Sequence, residues 1–345
     1  MGDSGLVSSA ISAEITRSWL TEIWERLFER APVSPDDDFF ALGGTPETAN
    51  LLFEQIALVS GRELSPLTIY QAPTIAAISA ILEARELPRF PAVVPLKIGN
   101  PESPIFMVHG LGGSVMEFFR MVGHLRFERS IFGLHRKGID GWDQPFTRVE
   151  DLATHYINAV RAIQPSGPYY FVGFSLGGLI ALEMAQQAKR GGDGVAFLAM
   201  IETFPHWKYL RLREKAKVAT SLAKRLRDKA LYRVRGLDDE GGDKCQSVGD
   251  YPRIGPAFAP IMERSGDSDI RMWKRYRPKY YPGTIHFFVR TEGGAKFPKD
   301  PRFVWAPLAQ EFVVESIPGD HLGVMSRNFE TLADKLSRRI ALLRA

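Results

Sequence analysis

The chain has 345 residues, too many for one small domain and suited to one large domain or two of unequal size. Apolar residues make up 45% and charged residues 24%, the balance of an ordinary globular protein, and a net charge of +4 argues against a general polyanion binder. The single cysteine, Cys245, excludes an internal disulfide framework and fits a reducing compartment; it lies in a polar stretch without a catalytic signature. The N-terminal MGDSGLVSSAIS lacks the basic start and apolar core of a signal peptide, and Leu6 spoils a myristoylation motif. The longest apolar run, Tyr169 to Ala185, is broken by glycines and Glu183, so it reads as a buried strand entering a helix and not as a membrane span. A cytoplasmic protein with no membrane or nucleic-acid partner is expected.

In chain order, residues 14–30 carry Ile15, Trp19, Ile23 and Leu27 on one helical stripe. FFALGGTPETAN, residues 39–50, runs apolar, turns through a glycine pair and enters a second helix from Thr48 to Val59, closed by Gly61. Leu67 to Tyr70 gives a short turn, and Pro73 opens a third helix, TIAAISAILEAR. These elements predict a small helical bundle over 11–86. The five prolines of LPRFPAVVPLKIGNPESP mark a semi-rigid linker over 87–103.

Beyond it the pattern changes. IFMVHG, SIFGL, YYFVGFS, VAFLAMIE, TIHFFVRTE and EFVVESIP read as buried strands, with helices VEDLATHYINAVRAIQ and LGGLIALEMAQQAKR among them. The first of these helices sets Leu152, Tyr156, Ala159 and Ile163 on one stripe. Strands alternating with helices predict an α/β class domain over 104–345, with a parallel sheet covered on both faces.

Gly173-Phe174-Ser175-Leu176-Gly177 is a GxSxG between a predicted strand and a predicted helix. The letters alone recur by chance; the strand–turn–helix context makes Ser175 the candidate nucleophile, held in a strained turn above the sheet. In an α/β-hydrolase the base comes last in the chain. His321, in IPGDHLGVM after the final strand, fits that order; His286 lies inside a strand, and His109 and His135 lie near strand ends out of order. Two fixed N–H groups must receive the oxyanion. Leu176, at the start of the following helix, is one, and Leu111, in the turn HGLGG after the first of these strands, is the other. Two strand ends offer the acid that orients the histidine, Glu202 after VAFLAMI and Glu292 after TIHFFVRT. Asp320 adjoins His321 and is expected to point away.

These residues, in this order and spacing, resemble the C-terminal carrier–thioesterase didomain of non-ribosomal peptide synthetases, over nearly the whole chain after about residue 12. DDFFALGG and YQAPTIAAISAIL are similar to carrier landmarks; IFMVHGLGG, FGLHRKGIDG, GPYYFVGFSLGGLIALEMA, RYRPKYYPGTIHFF and IPGDHLGVM are similar to thioesterase landmarks. The resemblance implies an α/β-hydrolase fold with a helical lid, at about 206–276, behind a small four-helix-bundle carrier. It implies that an acyl or peptidyl thioester on phosphopantetheine acylates Ser175 and is then released by water or an internal nucleophile. The family's acid lies in a Leu-Leu-Asp-like segment before a proline, which here is Met200-Ile201-Glu202-Thr203-Phe204-Pro205. That favours Glu202 over Glu292, with one methylene more than Asp, so that the backbone must retract or the carboxylate approach at another angle.

The carrier's arm is borne by a serine two places after the second glycine. Pro46 stands there, has no hydroxyl, and suits the first turn of a helix. The expectation is a folded pseudo-carrier with no covalently bound cofactor, beside a thioesterase whose substrate carries the phosphopantetheine. The partner is then a loaded carrier domain of another protein or module, or acyl-CoA. The basic segment HWKYLRLREKAKVATSLAKRLRDKALYRVRG, with Val218, Leu222 and Leu226 at helical spacing, reads either as a solvated lid helix or as a docking face for an acidic carrier or for phosphates. Alternatives are an esterase or lipase on oxygen esters, and a non-catalytic docking or scaffold module.

Overall fold

The computed structural model describes residues 3–84, 89–137, 143–210, 259–292 and 300–343, with isolated positions between 211 and 220. Val218, Leu222, Leu226 and Cys245 lie outside the described residues, as does most of the segment read as a lid.

The N-terminal part holds helices α1 (Asp3–Phe28), α2 (Pro46–Ser60) and α3 (Ile75–Glu83), with the short turn expected at Leu67–Tyr70 formed as a five-residue 3-10 helix, Pro66–Tyr70. α1 begins upstream of the predicted stripe, in a stretch whose small residues carry no apolar period. Thr45 caps α2 by accepting a hydrogen bond from Thr48 N–H at 3.2 Å, and Gly61 closes it in the left-handed conformation. Pro73 does not open α3. Thr74 is the N-cap, its hydroxyl accepting from Ala77 N–H at 3.1 Å, because a hydroxyl satisfies an orphan amide that a proline ring cannot.

The second part is a seven-stranded sheet of order β1-β3-β2-β4-β5-β6-β7. Its strands are β1 (Val93–Lys97), β2 (Asn100–Val108), β3 (Arg129–Leu134), β4 (Tyr169–Phe174), β5 (Val195–Ile201), β6 (Tyr281–Arg290) and β7 (Ala309–Ile317). The pairings are parallel except β1 with β3. β1 corrects the linker reading of 87–103, since residues 93–97 pair with the sheet and β2 already starts at Asn100. Pro95 hid the strand, but an edge strand tolerates a residue with no N–H to donate.

Among the described residues the domain also has helices α4 (Phe119–Val122), α5 (Val149–Ile163), α6 (Leu176–Arg190), α7 (Ala259–Arg275), α8 (Arg302–Trp305), α9 (Gly323–Ser326) and α10 (Phe329–Leu342). Side chains alternate between two cores. Phe106, Val108, Tyr169 and Phe171 pack with α5 and α6 on one face; Ile105, Met107, Tyr170 and Val172 face α10 on the other. In α5 the buried stripe is Leu152, Ala153, Tyr156, Ile157 and Val160, and Ile163 is exposed, a small rotation from the predicted stripe.

The α10-side core is continuous with the interior of the N-terminal bundle, running on through Trp24, Phe39, Ile56 and Ile78. Phe40 packs on Phe119 with ring centroids 5.2 Å apart, and Arg120 pairs with Glu47 at 3.0 Å. Among the described residues no helix is long and apolar enough to cross a membrane.

Candidate active site

The chain leaves β4 at Phe174 and enters α6 at Leu176, so Ser175 alone makes the turn. It does so at φ 52°, in the left-handed region that a non-glycine residue rarely occupies. The turn is this tight because the start of α6 lies directly against the end of β2: a Cβ on Gly177 would collide with the carbonyl oxygens of Val108 and His109. Ser175 N–H donates to Ile201 O at 2.8 Å, which ties the elbow to β5.

His321 comes from the loop after β7. Its Nε2 lies 3.2 Å from Ser175 Oγ and its Nδ1 lies 3.3 Å from Glu202 Oε2. Its ring stacks on Phe174, with centroids 5.1 Å apart. Asp320 points away, as expected; its carboxylate accepts from Gly323 N–H at 2.6 Å and pairs with Arg327. The geometry reads as a relay. Glu202 accepts from Nδ1–H, and Nε2 is left as the acceptor for the serine hydroxyl.

Glu202 follows β5 at φ 49° with a fully buried carboxylate. Arg290 N–H donates to Glu202 Oε1 at 2.7 Å, and the Arg290 guanidinium pairs with Oε2. Burial opposes ionisation of Glu202, but the His321 hydrogen bond and the Arg290 charge outweigh it, so the carboxyl is held below its ordinary value. Glu292, the alternative acid, has an exposed side chain and no contact with His321 among the described residues. Arg290 escaped the sequence reading. Its signal was only positional, in that β5 and β6 run parallel and Ile201 pairs with Phe288, so their ends meet.

Leu176 starts α6, and Ser175 at the N-cap makes no side-chain cap bond, so among the described residues the positive end of the helix opens beside Ser175. Leu111 sits in the turn after β2. That turn abuts the elbow, for a Cβ on Gly110 would meet the Phe174 ring at 3.0 Å. His109, at its base, is fully buried. Its Nδ1–H donates to Gly110 O at 2.8 Å and its Nε2 accepts from the Tyr156 hydroxyl at 2.6 Å. Burial pushes this imidazole down to about 3, so it stays neutral as a fixed strut. His286 packs within β6 against Phe197.

Comparison with known proteins agrees with this architecture. Residues 103–340 match the thioesterase domain family and residues 18–82 match the phosphopantetheine attachment site family. A dimodular nonribosomal peptide synthase of Bacillus subtilis (strain 168) is 27% identical over 291 residues, covering 79% of this chain and 12% of that protein. Malpibaldin synthetase of Mortierella alpina is 32% identical over 283 residues, covering 79% of this chain and 5% of that protein. The chain therefore spans 12% or less of the length of these relatives. Among solved structures, the four-domain nonribosomal peptide synthetase AB3403, bound to AMP and glycine, aligns with a TM-score of 0.56 at 22% identity, over 94% of this chain and 26% of that one. The NocB thioesterase domain, as a covalent complex with a fluorophosphonate nocardicin G analog, aligns with a TM-score of 0.50 at 22% identity, over 68% of this chain and 93% of that one. With an α/β-hydrolase domain matched over 103–340 and a carrier-type bundle ahead of it, the chain belongs to the thioesterase domain family in its carrier–thioesterase arrangement.

Proposed function

We propose that this thioesterase releases an acyl or peptidyl chain from a phosphopantetheine thioester through an acyl-Ser175 intermediate. The observation that carries the reading is the continuous chain of contacts from Ser175 through His321 to Glu202 at the strained end of β4. Ser175 Oγ attacks the thioester carbonyl while His321 Nε2 takes its proton, and the charge that gathers on the carbonyl oxygen falls between Leu176 N–H and Leu111 N–H. The tetrahedral adduct collapses as His321 returns the proton to the departing pantetheine sulfur. Water, or a nucleophile within the acyl chain, then repeats the sequence on the ester, giving hydrolysis or cyclisation. The test compares acyl-pantetheine thioesters with oxygen esters of the same acyl group. Faster turnover of the thioesters is expected; preference for the oxygen ester would turn the reading to an esterase, and turnover of neither to a scaffold.

The substrate then arrives from a carrier domain elsewhere or from acyl-CoA, because the bundle of this chain is an unloaded carrier. Pro46 occupies the first turn of α2. The neighbouring hydroxyls are already engaged with each other, Thr45 Oγ1 with Thr48 Oγ1 at 3.0 Å and with Thr48 N–H. Incubation with a pantetheinyl transferase and coenzyme A is expected to leave the intact mass unchanged, whereas Pro46→Ser gains one arm. A stoichiometric gain on a wild-type peptide containing Thr45 or Thr48 would overturn the pseudo-carrier.

A further inference from the structure

The successive amides of the turn after β2 are treated differently. Gly110 N–H donates to the carboxyl of Glu117, from the 3-10 turn Val115–Phe118. Gly112 N–H donates to Asp269 Oδ2 at 2.9 Å, across 157 residues of sequence. Leu111 N–H, between them, makes no hydrogen bond among the described residues. The two flanking donors are thus occupied by side chains, and the middle one is left open.

Asp269 belongs to α7 and is fully buried. Its other oxygen pairs with Arg136 at 2.6 Å, both side chains being 1% exposed or less. Arg136 in turn lines the turn's far side. Its N–H donates to Gly113 O at 3.3 Å, and a Cβ on Gly113 would collide with its aliphatic stem. Its guanidinium also reaches Ser268, again on α7. Gly112 and Gly113 both stand in the left-handed region, at φ 97° and 80°. A backbone with two such residues in succession has little shape of its own and takes the shape its partners impose. A buried ion pair is a poor source of stability, because desolvating both charges offsets their attraction, so its placement against this turn calls for another role. Burial pushes the Asp269 carboxyl up to about 6, with Arg136 and Gly112 N–H pulling the other way, so at neutral pH it is an ionised acceptor.

We propose that Asp269 of α7, held by Arg136, is a positioning residue of the oxyanion site: by fixing Gly112 N–H it presents Leu111 N–H as an open donor between two occupied ones. The inference rests on the serine thioesterase reading above. It makes α7, a helix that contributes nothing to the Ser175–His321–Glu202 chain, part of the condition for reactivity.

The test is the second-order rate at which a fluorophosphonate labels Ser175, measured with kcat and KM on an acyl-pantetheine thioester. Asp269→Asn keeps the side-chain volume. It is expected to slow labelling and kcat together by about 10- to 100-fold, at or below the cost of losing one oxyanion donor outright, since the donor is displaced and not removed, while KM and the pH midpoint of the base stay in place. Tyr276→Phe is the control. It removes a 3.0 Å hydrogen bond from Tyr276, the residue after α7, to Glu183, away from the turn, and is expected to label at the wild-type rate. Should Asp269→Asn fail to fold, the pair Arg136→Met with Asp269→Leu leaves no unpaired charge and is expected to fold and remain slow. Labelling of a folded Asp269 variant at the wild-type rate, or an equal loss in Tyr276→Phe, overturns the inference alone. A wild-type chain that never labels overturns the serine reading and this inference with it.

Discussion

Ser175→Ala is expected to abolish fluorophosphonate labelling and to lower kcat on acyl-pantetheine thioesters by about ten-thousand- to a million-fold, with little change in KM. The size follows from what the substitution leaves behind. His321 keeps its contact with Glu202, and the proposed oxyanion donors Leu176 N–H and Leu111 N–H are untouched, but no atom remains to form the covalent ester. Water would have to take the place of an oxygen held 3.2 Å from its base, and the advantage of a positioned nucleophile is lost with it. The removed oxygen adds no volume and breaks no packing, so the melting temperature is expected to hold or rise slightly, since alanine relaxes little at φ 52° but frees the site of one polar atom. Residual activity within tenfold of wild type would place the chemistry elsewhere.

Glu202→Gln is expected to cost about 10²- to 10⁴-fold in kcat. A carboxylate can accept from His321 Nδ1–H and from Arg290 at once. A glutamine has one acceptor oxygen and must turn its NH2 toward one of these two donors. Either the NH2 takes the place of Oε2 and faces both His321 Nδ1–H and the Arg290 guanidinium, or it takes the place of Oε1 and faces Arg290 N–H. Glu292→Gln, on an exposed side chain, is expected to leave kcat near wild type, and the contrast separates the two candidate acids. The same variant has a thermodynamic signature. Because the Glu202 carboxyl is held below its ordinary value of 4.5, its contribution to stability is complete above that value and is lost as pH falls through the lower, folded value. Acid melting curves of Glu202→Gln should therefore lack that part of the wild-type decline. Curves that stay parallel would mean Glu202 is not held ionised in the folded protein.

Ser175 and His321 were legible because each stands in a local pattern with a physical reason, a strand–turn–helix for one and a loop after the last strand for the other. Glu202 was legible only in part: two strand ends offered a glutamate, and the resemblance chose between them. Arg290, Glu117, Arg136 and Asp269 were not legible. Each is a charged residue that composition assigns to the surface; Arg290, Arg136 and Asp269 are drawn inward by partners far away in sequence, and Glu117 by the amide of Gly110 seven residues before it. The same limit explains β1, where Pro95 concealed an edge strand, and α5, where a helical period set the face only to within one residue. Patterns along the chain report what a segment can do alone; the buried charges around this site exist only once the segments meet.

The continuous interior of bundle and hydrolase has a consequence for how such a chain can change over time. A carrier that ferries cargo needs a detachable hinge and a surface kept free for successive hosts. A bundle whose Trp24, Phe39 and Ile56 belong to the same apolar interior as Met107 and Leu332 is also a wall of the building. It cannot be exchanged as a cassette without uncovering its neighbour. The fold of the bundle can then be retained for the shelter it gives the hydrolase, apart from any cargo it bears.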